Sequence, residues 1–247
     1  MPKEKLLLDI RYYESAGDNV AGTSLPSEPG QIFHLPLSIH PMGARIARKL
    51  REFGFTAGMF DHLYLNFTTV LPAGQCRYSP REIEERIKYV DFVLSADATN
   101  VLSEIEKESL VLAATVKVLR FVAGNRTAQL GLLERLLGEI EEKGSELEIL
   151  HKSKETVKYS VAVTYKIRPN NQDSIGVIEY HDKSSGYRFK SEFIKLRDYE
   201  DIFALVGSIS VVNGFIRLRP RQSFKASLYI RHYDTPIEIP IGNLNAE

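Results

Sequence analysis

The chain has 247 residues, and its hydrophobic (43%) and charged (26%) fractions are those of a globular protein, which excludes a disordered or fibrous chain. It carries 32 basic and 32 acidic residues, so no net charge attracts nucleic acid or an anionic membrane over long range. A single cysteine, Cys76, excludes an internal disulfide and favours a reducing compartment. No stretch of 18 apolar residues occurs. We therefore expect a cytoplasmic protein that does not enter a membrane.

Four elements are predicted in the first seventy residues. Residues 5–14 predict a strand, and the Gly, Ser and Pro residues of 15–30 predict a loop. Residues 43–53 predict a short basic helix that ends before a glycine. Residues 61–70 are rich in aromatic and β-branched side chains and predict a second strand.

A capping-box spacing follows the second strand. Ser79 precedes Glu82 by three residues and is followed by a proline, which predicts a short helix that turns Ile83 and Ile87 inward. Residues 89–94 then predict a return strand.

The clearest helix start is a second capping box, formed by Ser103 and Glu106. Residues 110–116 of this helix are apolar on nearly every side, which predicts a buried central helix that ends at Gly124. Residues 126–143 predict a second, amphipathic helix.

After Gly144 the hydrophobic period changes from about 3.6 to 2, which indicates a domain boundary. Residues 157–168 alternate apolar and polar side chains, as a half-buried strand does. Residues 175–180 and 187–196 flank a turn and predict a hairpin. Asn213-Gly214 between two apolar runs is the strongest short hairpin signal in the chain.

The remaining elements complete a mostly antiparallel carboxyl-terminal part. Residues 198–206 predict a brief helix, and residues 224–233 and 236–241 predict strands. The predicted fold class is therefore α+β. Residues 1–145 form a mixed α/β domain with a buried central helix, and residues 146–247 form a mainly antiparallel β domain that either stands alone or shares one core with the first.

The motifs that announce familiar catalysis are missing from the sequence: it has no phosphate-binding glycine loop, nucleophile elbow, Cys-x-x-Cys or His-Glu-x-x-His. His34, His40 and His62, with Asp61, are candidates for a site assembled from distant segments. Cys76, beside an arginine, is a candidate nucleophile. For the histidine group and for Cys76, an ordinary structural role is the more probable interpretation. We therefore expect no enzymatic activity, no metal and no cofactor.

A basic patch with one aromatic residue is the most prominent candidate binding site. If residues 224–233 form a strand, Tyr229 shares a sheet face with Lys225 and Arg231. Such a face binds phosphates and stacks bases, and the alternative is the solvated face of a sheet. The candidate residues are Arg217, Arg219, Arg221, Lys225, Tyr229 and Arg231.

Tyrosine is abundant, with 12 residues, and tyrosine is favoured at protein interfaces. It is equally favoured in strands. The tyrosines that we consider for an interface are Tyr12, Tyr13, Tyr180, Tyr187, Tyr199, Tyr229 and Tyr233.

Three runs resemble parts of the bacterial immunity proteins that accompany polymorphic toxins: FDHLYLNFT at 60–68, YVDFV at 89–93 and NVLSEIEKE at 100–108. The resemblance covers about residues 60–122 and consists in the order strand, strand, capping box and buried helix. It implies a cytoplasmic protein that binds and blocks a cognate toxin without catalysing a reaction.

Three functional hypotheses follow from the sequence, and the least favoured is an enzyme whose site is assembled from His34, His40, His62 and Asp61. The first is a non-enzymatic protein that binds another protein and neutralises a cognate toxin. The second is a phosphate- or RNA-binding module that uses the basic patch, although the neutral net charge makes nucleic acid the less favoured partner. The sequence leaves the oligomeric state open.

Overall fold

The computed structural model describes residues 4–16, 25–70, 72–169 and 171–243. The chain divides into two compact units, Met1–Gly144 (unit 1) and Ser145–Glu247 (unit 2). Residues 17–24 of the predicted loop 15–30 lie outside the described residues. Within the described segments, every helix is too short or too polar to cross a membrane.

The described residues of unit 1 form a mostly parallel sheet, a separate pair of strands and four helices. The elements are β1 (Lys5–Leu6), β2 (Asp9–Ser15), α1 (Ile39–Glu52), β3 (Thr56–Gly58), β4 (His62–Thr68), β5 (Cys76–Tyr78), β6 (Ile87–Val93), α2 (Ala96–Asn100), α3 (Glu104–Ala123) and α4 (Thr127–Lys143). The order across the sheet is β2-β4-β6-β5. The strands β2, β4 and β6 are parallel, and β5 is antiparallel to β6. The strands β1 and β3 form a separate antiparallel pair.

One face of the unit 1 sheet packs against α1 and α3. The hydroxyl groups of Tyr12 on β2 and Thr115 on α3 are 3.0 Å apart and both side chains are fully buried. Gly43 allows α1 to approach β2, because a Cβ at this position would lie 2.5 Å from the carbonyl oxygen of Ile10. The core of unit 1 therefore lies between this sheet face and the two helices.

The capping box at Ser103 is confirmed. The hydroxyl of Ser103 accepts a hydrogen bond from the backbone of Glu106, and the Glu106 carboxylate accepts one from the backbone of Ser103 at 2.8 Å. α3 buries the face that includes Val111, Val118 and Leu119, while Ile105 in its first turn is 77% exposed.

The helix predicted after Ser79 is wrong. The Ser79 N–H instead donates to the carbonyl of Tyr89 and so extends the pairing of β5 with β6. Ser79 Oγ accepts from the N–H of Arg81 at 3.4 Å, and Ile87 is the first residue of β6. Pairing with the neighbouring strand satisfies the backbone groups that a helix would otherwise use.

The described residues of unit 2 form two antiparallel sheets and two short α-helices. This arrangement confirms the predicted antiparallel carboxyl-terminal part and with it the α+β class. The elements are β7 (Glu148–Glu155), β8 (Tyr159–Lys166), β9 (Ser174–Asp182), β10 (Arg188–Leu196), α5 (Asp201–Leu205), β11 (Ser208–Val212), β12 (Phe215–Arg219), α6 (Phe224–Ile230) and β13 (Ile237–Pro240). One sheet has the order β10-β9-β8-β7 and the other has the order β11-β12-β13. Short 3-10 turns occupy Gly144–Glu146 and Ile241–Asn243.

The predicted hairpins of unit 2 are confirmed. β9 pairs with β10, and β11 pairs with β12 through Asn213 and Gly214, whose φ angles are 52° and 77°. Positive φ at both central residues is what a type I′ turn requires. The strand β7 was not predicted, because few of its residues are apolar.

The strand predicted over residues 224–233 is wrong, because residues 224–230 form the helix α6. Ser223 caps this helix by accepting a hydrogen bond from the N–H of Ala226 at 3.2 Å. Its apolar residues alternate as in a strand, but Ala226 and Ile230 are also four residues apart and share one side of a helix.

Candidate functional site

The six predicted basic-patch residues do not lie on one sheet face. Arg217 and Arg219 are on β12, Arg221 follows that strand, Lys225 and Tyr229 are on α6, and Arg231 is the residue after α6. Arg217 Nε lies 2.6 Å from Glu238 Oε1 of the neighbouring strand, so this guanidinium is already paired.

Because residues 224–230 form a helix and not a strand, different side chains share a face than predicted. Lys225 and Tyr229 are four residues apart and share one side of α6, whereas Tyr229 and Arg231 are two residues apart and point in different directions. The expected basic, tyrosine-containing sheet face is therefore absent from the described part of unit 2.

α6 instead exposes apolar side chains. Phe224 is 82% exposed and Leu228 is 50% exposed, and the two are one helical turn apart. Arg231 follows Leu228 by three residues, which places a cation at the end of this stripe. We call Phe224, Lys225, Leu228, Tyr229 and Arg231 the α6 surface.

The frame that presents the α6 surface is well fixed. Ala226, on the opposite side of α6, is 5% exposed, and α6 contacts α5. Tyr233, just beyond α6, donates a hydrogen bond of 2.5 Å to the buried Asp201 carboxylate at the start of α5. A helix of seven residues is not stable alone, so these contacts hold it in place.

Of the predicted histidine set, the structure joins only His62 to Asp61. His62 Nδ1 lies 2.6 Å from Asp61 Oδ1, and Arg86 binds the other oxygen of the same carboxylate at 2.7 Å. Although burial alone would raise it, hydrogen bonds from Arg86 and His62 lower the pKa of Asp61. His34 and His40 are not part of this group, and the described residues contain no cluster of His, Cys, Asp and Glu that fits a metal ion.

Cys76 lies on the edge strand β5 and is partly buried. Burial raises the pKa of its thiol, an effect that the nearby Lys117 only partly offsets. A raised pKa reduces the thiolate fraction at neutral pH, so the geometry does not favour Cys76 as a nucleophile.

Three of the seven predicted interface tyrosines have structural roles. Tyr12 and Tyr180 are buried in the two cores, and Tyr233 binds Asp201. Tyr13, Tyr187 and Tyr199 are half-buried. Tyr229, at 38%, is the exposed member of this set and belongs to the α6 surface.

A second cluster lies in unit 1, on the sheet face opposite α1 and α3. The strand register places Tyr13 beside Asn66, Asn66 beside Asp91, and Asp91 beside Arg77. We call these four residues the polar row. It crosses all four strands two residue pairs before the carboxyl ends of the parallel strands β2 and β4. The carboxyl ends of the strands form the edge at which open parallel sheets bind ligands.

Asn66 is the centre of the polar row and is 2% exposed. Its Nδ2 donates to Ser15 Oγ at 2.9 Å and to Asp91 Oδ1 at 2.8 Å, which uses both amide protons. Among the described residues, Asn66 Oδ1 has no hydrogen-bond partner. A flipped amide would direct this oxygen at the Asp91 carboxylate, so the orientation is set by the network. An unsatisfied buried acceptor costs about 1–3 kcal/mol.

Two further tyrosine rings, Tyr64 and Tyr89, lie beside Tyr13 of the polar row. The centroid of Tyr64 lies 5.4 Å from that of Tyr13 and 5.3 Å from that of Tyr89. The Arg11 guanidinium lies over the Tyr64 ring at 5.5 Å. Burial raises the pKa of Tyr64 to about 12. The buried Arg81 belongs to the same surroundings, because its charge acts to lower the pKa of Tyr89 against the larger raising effect of burial.

Sequence reasoning missed both the polar row and the exposure of Phe224. Asn66 and Asp91 lie within predicted strands, and a polar side chain inside an otherwise apolar parallel strand is the signal that points to them. Their meeting depends on the pairing of β4 with β6, which no local pattern encodes.

Comparison of the chain with family models, with curated proteins and with solved structures found no match.

Proposed function

We propose that this chain binds another protein through the α6 surface, and that its partner offers an apolar recess lined with acidic groups. The observation that carries the proposal is the exposure of Phe224 and Leu228 on one side of α6. Removing a phenylalanine or leucine side chain from water contributes about 1.5–3 kcal/mol. Aromatic residues and arginine are the residue types that dominate binding energy at protein interfaces.

The α6 surface is suited to binding because its frame is already ordered. The Ser223 cap, the buried Ala226 and the bond from Tyr233 to Asp201 hold α6 before any partner arrives. Less conformational entropy is then lost on association.

The charge of the α6 surface specifies the partner. Lys225 and Arg231 flank the two apolar side chains, and the five residues of this surface include no acidic one. Complementary charge speeds association and rejects wrong partners, so the partner surface is acidic around its apolar recess.

The resemblance to immunity proteins supports a narrower form of this proposal. In that form the partner is a bacterial toxin, and binding blocks the toxin without any reaction catalysed by this chain. The exposed apolar stripe fits this role, since a neutralising protein needs a durable contact rather than a catalytic group.

A phosphate- or RNA-binding role for the same region is the alternative. The pairing of Arg217 with Glu238 and the separation of Tyr229 from Arg231 on α6 weigh against it. If it holds, affinity for RNA falls steeply as salt rises, because phosphate contacts release counterions.

The test compares a Phe224→Ser and Leu228→Ser double variant with Val157→Ser. Val157 is a matched control because it is an apolar residue of unit 2 that is 92% exposed and lies outside the α6 surface. Each tagged protein is used for affinity capture from lysate of the native cells, with and without nuclease treatment. The captured protein is then purified and titrated against each variant.

The proposal expects one stoichiometric protein that binds wild type and Val157→Ser equally and binds the double variant at least tenfold more weakly. Binding of wild type and double variant with equal affinity overturns it. Recovery that disappears after nuclease treatment favours the RNA alternative, and concentration-dependent dimerisation lost in the double variant identifies a second copy of this chain as the occupant instead.

A further inference from the structure

The polar row of unit 1 shares no residue with the α6 surface and has the features of a small-molecule site. Tyr13, Asn66, Asp91 and Arg77 lie side by side on β2, β4, β6 and β5. Parallel strands buried on both faces normally carry Val, Ile and Leu at such positions. Polar residues at these positions are unfavourable for folding, and such positions are often functional sites.

The polar row contains one buried acceptor to which none of the described residues donates a hydrogen bond. Asn66 Oδ1 is buried, while the Nδ2 of the same amide is held by Ser15 and Asp91. Asn66 Oδ1 can therefore accept a hydrogen bond from an N–H or O–H group. A ligand amine or hydroxyl group provides such a donor, and Asp91 beside it supplies further acceptor capacity.

The end of the row at β2 offers an aromatic ring. Tyr13 is half-buried, in contrast to Tyr64 at 6% and Tyr89 at 1%, so its ring is the accessible one of the three. Tyr64 and Tyr89 support it from one side, with ring centroids 5.4 Å and 6.1 Å away. A flat heterocycle can stack on such a ring whatever its identity.

The other end of the row, at β5, offers a cation. The Arg77 side chain is 46% exposed, and its Nε lies 3.6 Å from Asp91 Oδ2, which is longer than a hydrogen bond. The planar guanidinium retains terminal nitrogens for bidentate contact with an anion, and phosphate is an anion that this geometry matches.

The span of the row limits the ligand. Three interstrand steps separate β2 from β5, which is about 14 Å at ~4.8 Å for each step. A free amino acid is too short to reach from Tyr13 to Arg77, whereas a nucleoside with a chain of phosphates has the required length.

We propose that the polar row binds a nucleoside phosphate. The base stacks on Tyr13, an N–H or O–H of the nucleoside donates to Asn66 Oδ1, and the phosphate chain reaches Arg77. The location near the carboxyl ends of β2, β4 and β6 agrees with the edge at which open parallel sheets bind nucleotides.

The experiment is a calorimetric titration of the full chain with ATP, GTP, CTP and UTP in turn. The variants are Tyr13→Ala and Arg77→Ala, which alter partly exposed side chains and leave the buried Asn66 and Asp91 in place. Arg51→Ala is the matched control, because Arg51 is exposed on α1, and α1 covers the other face of the sheet. Thermal unfolding confirms that each variant folds.

The proposal expects at least one nucleotide to bind wild type and Arg51→Ala equally, and to bind Tyr13→Ala and Arg77→Ala about tenfold or more weakly. Arg77→Ala also removes most of the difference in affinity between that nucleotide and its nucleoside. The proposal is overturned if none of the four nucleotides binds with a Kd below about 1 mM, or if both folded variants bind like wild type. Neither result depends on the α6 surface.

Discussion

Tyr233 Oη donates a 2.5 Å hydrogen bond to Asp201 Oδ2, and the same hydroxyl accepts one of 2.9 Å from the backbone N–H of Arg197. Asp201 is 6% exposed and also accepts from the N–H of Asp198. One phenol therefore links three places: the end of β10, the start of α5 and the segment that follows α6. Burial and the bond to Asp201 raise the pKa of Tyr233 to about 12.

Tyr233→Phe is expected to lower the free energy of unfolding by about 2 kcal/mol, because a bond to a buried carboxylate is lost while the carboxylate stays buried. Tyr229→Phe serves as the control, since Tyr229 is an exposed tyrosine of the neighbouring helix. Urea unfolding of the three proteins measures the difference. Equal loss in the two variants would contradict a special role for the Tyr233 hydroxyl.

The second prediction concerns Gly43, where α1 approaches β2. A Cβ at this position would lie 2.5 Å from the Ile10 carbonyl oxygen, which is backbone and cannot move away cheaply. Gly43→Ala is therefore expected to lower the free energy of unfolding by about 1–3 kcal/mol.

Gly131 provides the opposite case for the same substitution. It lies in α4, and a Cβ there would meet nothing within 4 Å. Gly131→Ala is expected to raise the free energy of unfolding by about 0.5–1 kcal/mol, because alanine loses less conformational entropy in a helix. Chemical denaturation of both variants measures these changes in the free energy of unfolding. A Gly43→Ala protein as stable as wild type would contradict the prediction and would show that α1 moves to accept the methyl group.

Signals contained within a few residues predicted the structure correctly. The Ser103 capping box and the Asn213-Gly214 turn each involve partners no more than three residues apart, so the local sequence specifies the bonds that form. At Ser79 the same local signal failed, because pairing of Ser79 with Tyr89 competes for the same backbone groups.

The sites were harder to predict than the elements because their residues meet through long-range pairing. The apolar residues of 224–230 fit both the strand period and the helix period. Burial of Ala226 favours the helix, and this burial depends on the contact of α6 with α5. Asn66 and Asp91 are 25 residues apart in the chain. Their contact follows from the register of two parallel strands, which the sequence pattern leaves undetermined.

The third prediction tests the capping box of α3. Ser103→Ala removes the hydroxyl that accepts from the Glu106 backbone, and it is expected to lower the free energy of unfolding by about 1 kcal/mol. Ser109→Ala on the same helix is the control, because the Ser109 hydroxyl only bonds the carbonyl of Ile105 and alanine is the better helix former. Urea unfolding should rank Ser103→Ala below wild type and Ser109→Ala at or above it.

Acid adds a second readout for this cap. Hydrogen bonds from the Ser103 side chain and backbone lower the pKa of Glu106 below its ordinary 4.5. The stabilisation is thus fully present above pH 4.5 and is lost as pH falls through the lowered value. Ser103→Ala should show a smaller loss in that range than wild type, and an unchanged acid dependence would argue against the bond between the two residues.

The fourth prediction concerns His151, which sits beside the irregularity in the pairing of β7 with β8. Its Nε2 lies 3.0 Å from the carbonyl oxygen of Val206, and because a carbonyl only accepts, this nitrogen must carry a proton and donate it. Burial lowers the pKa of His151 below its ordinary 6.5, with the charges of Lys152 and Arg221 acting in the same direction.

Since the folded state binds the proton less readily than the unfolded chain, the contribution of His151 to stability is complete above pH 6.5 and declines as pH falls below it. His151→Gln retains an amide donor for Val206 but cannot take up a proton, so its free energy of unfolding should fall less than that of wild type between about pH 7 and about pH 5. His151→Ala lacks the donor and should be less stable than wild type at neutral pH. If urea unfolding instead shows wild type and His151→Gln losing stability in parallel over this range, the pH dependence originates in other groups and His151 is held only by packing.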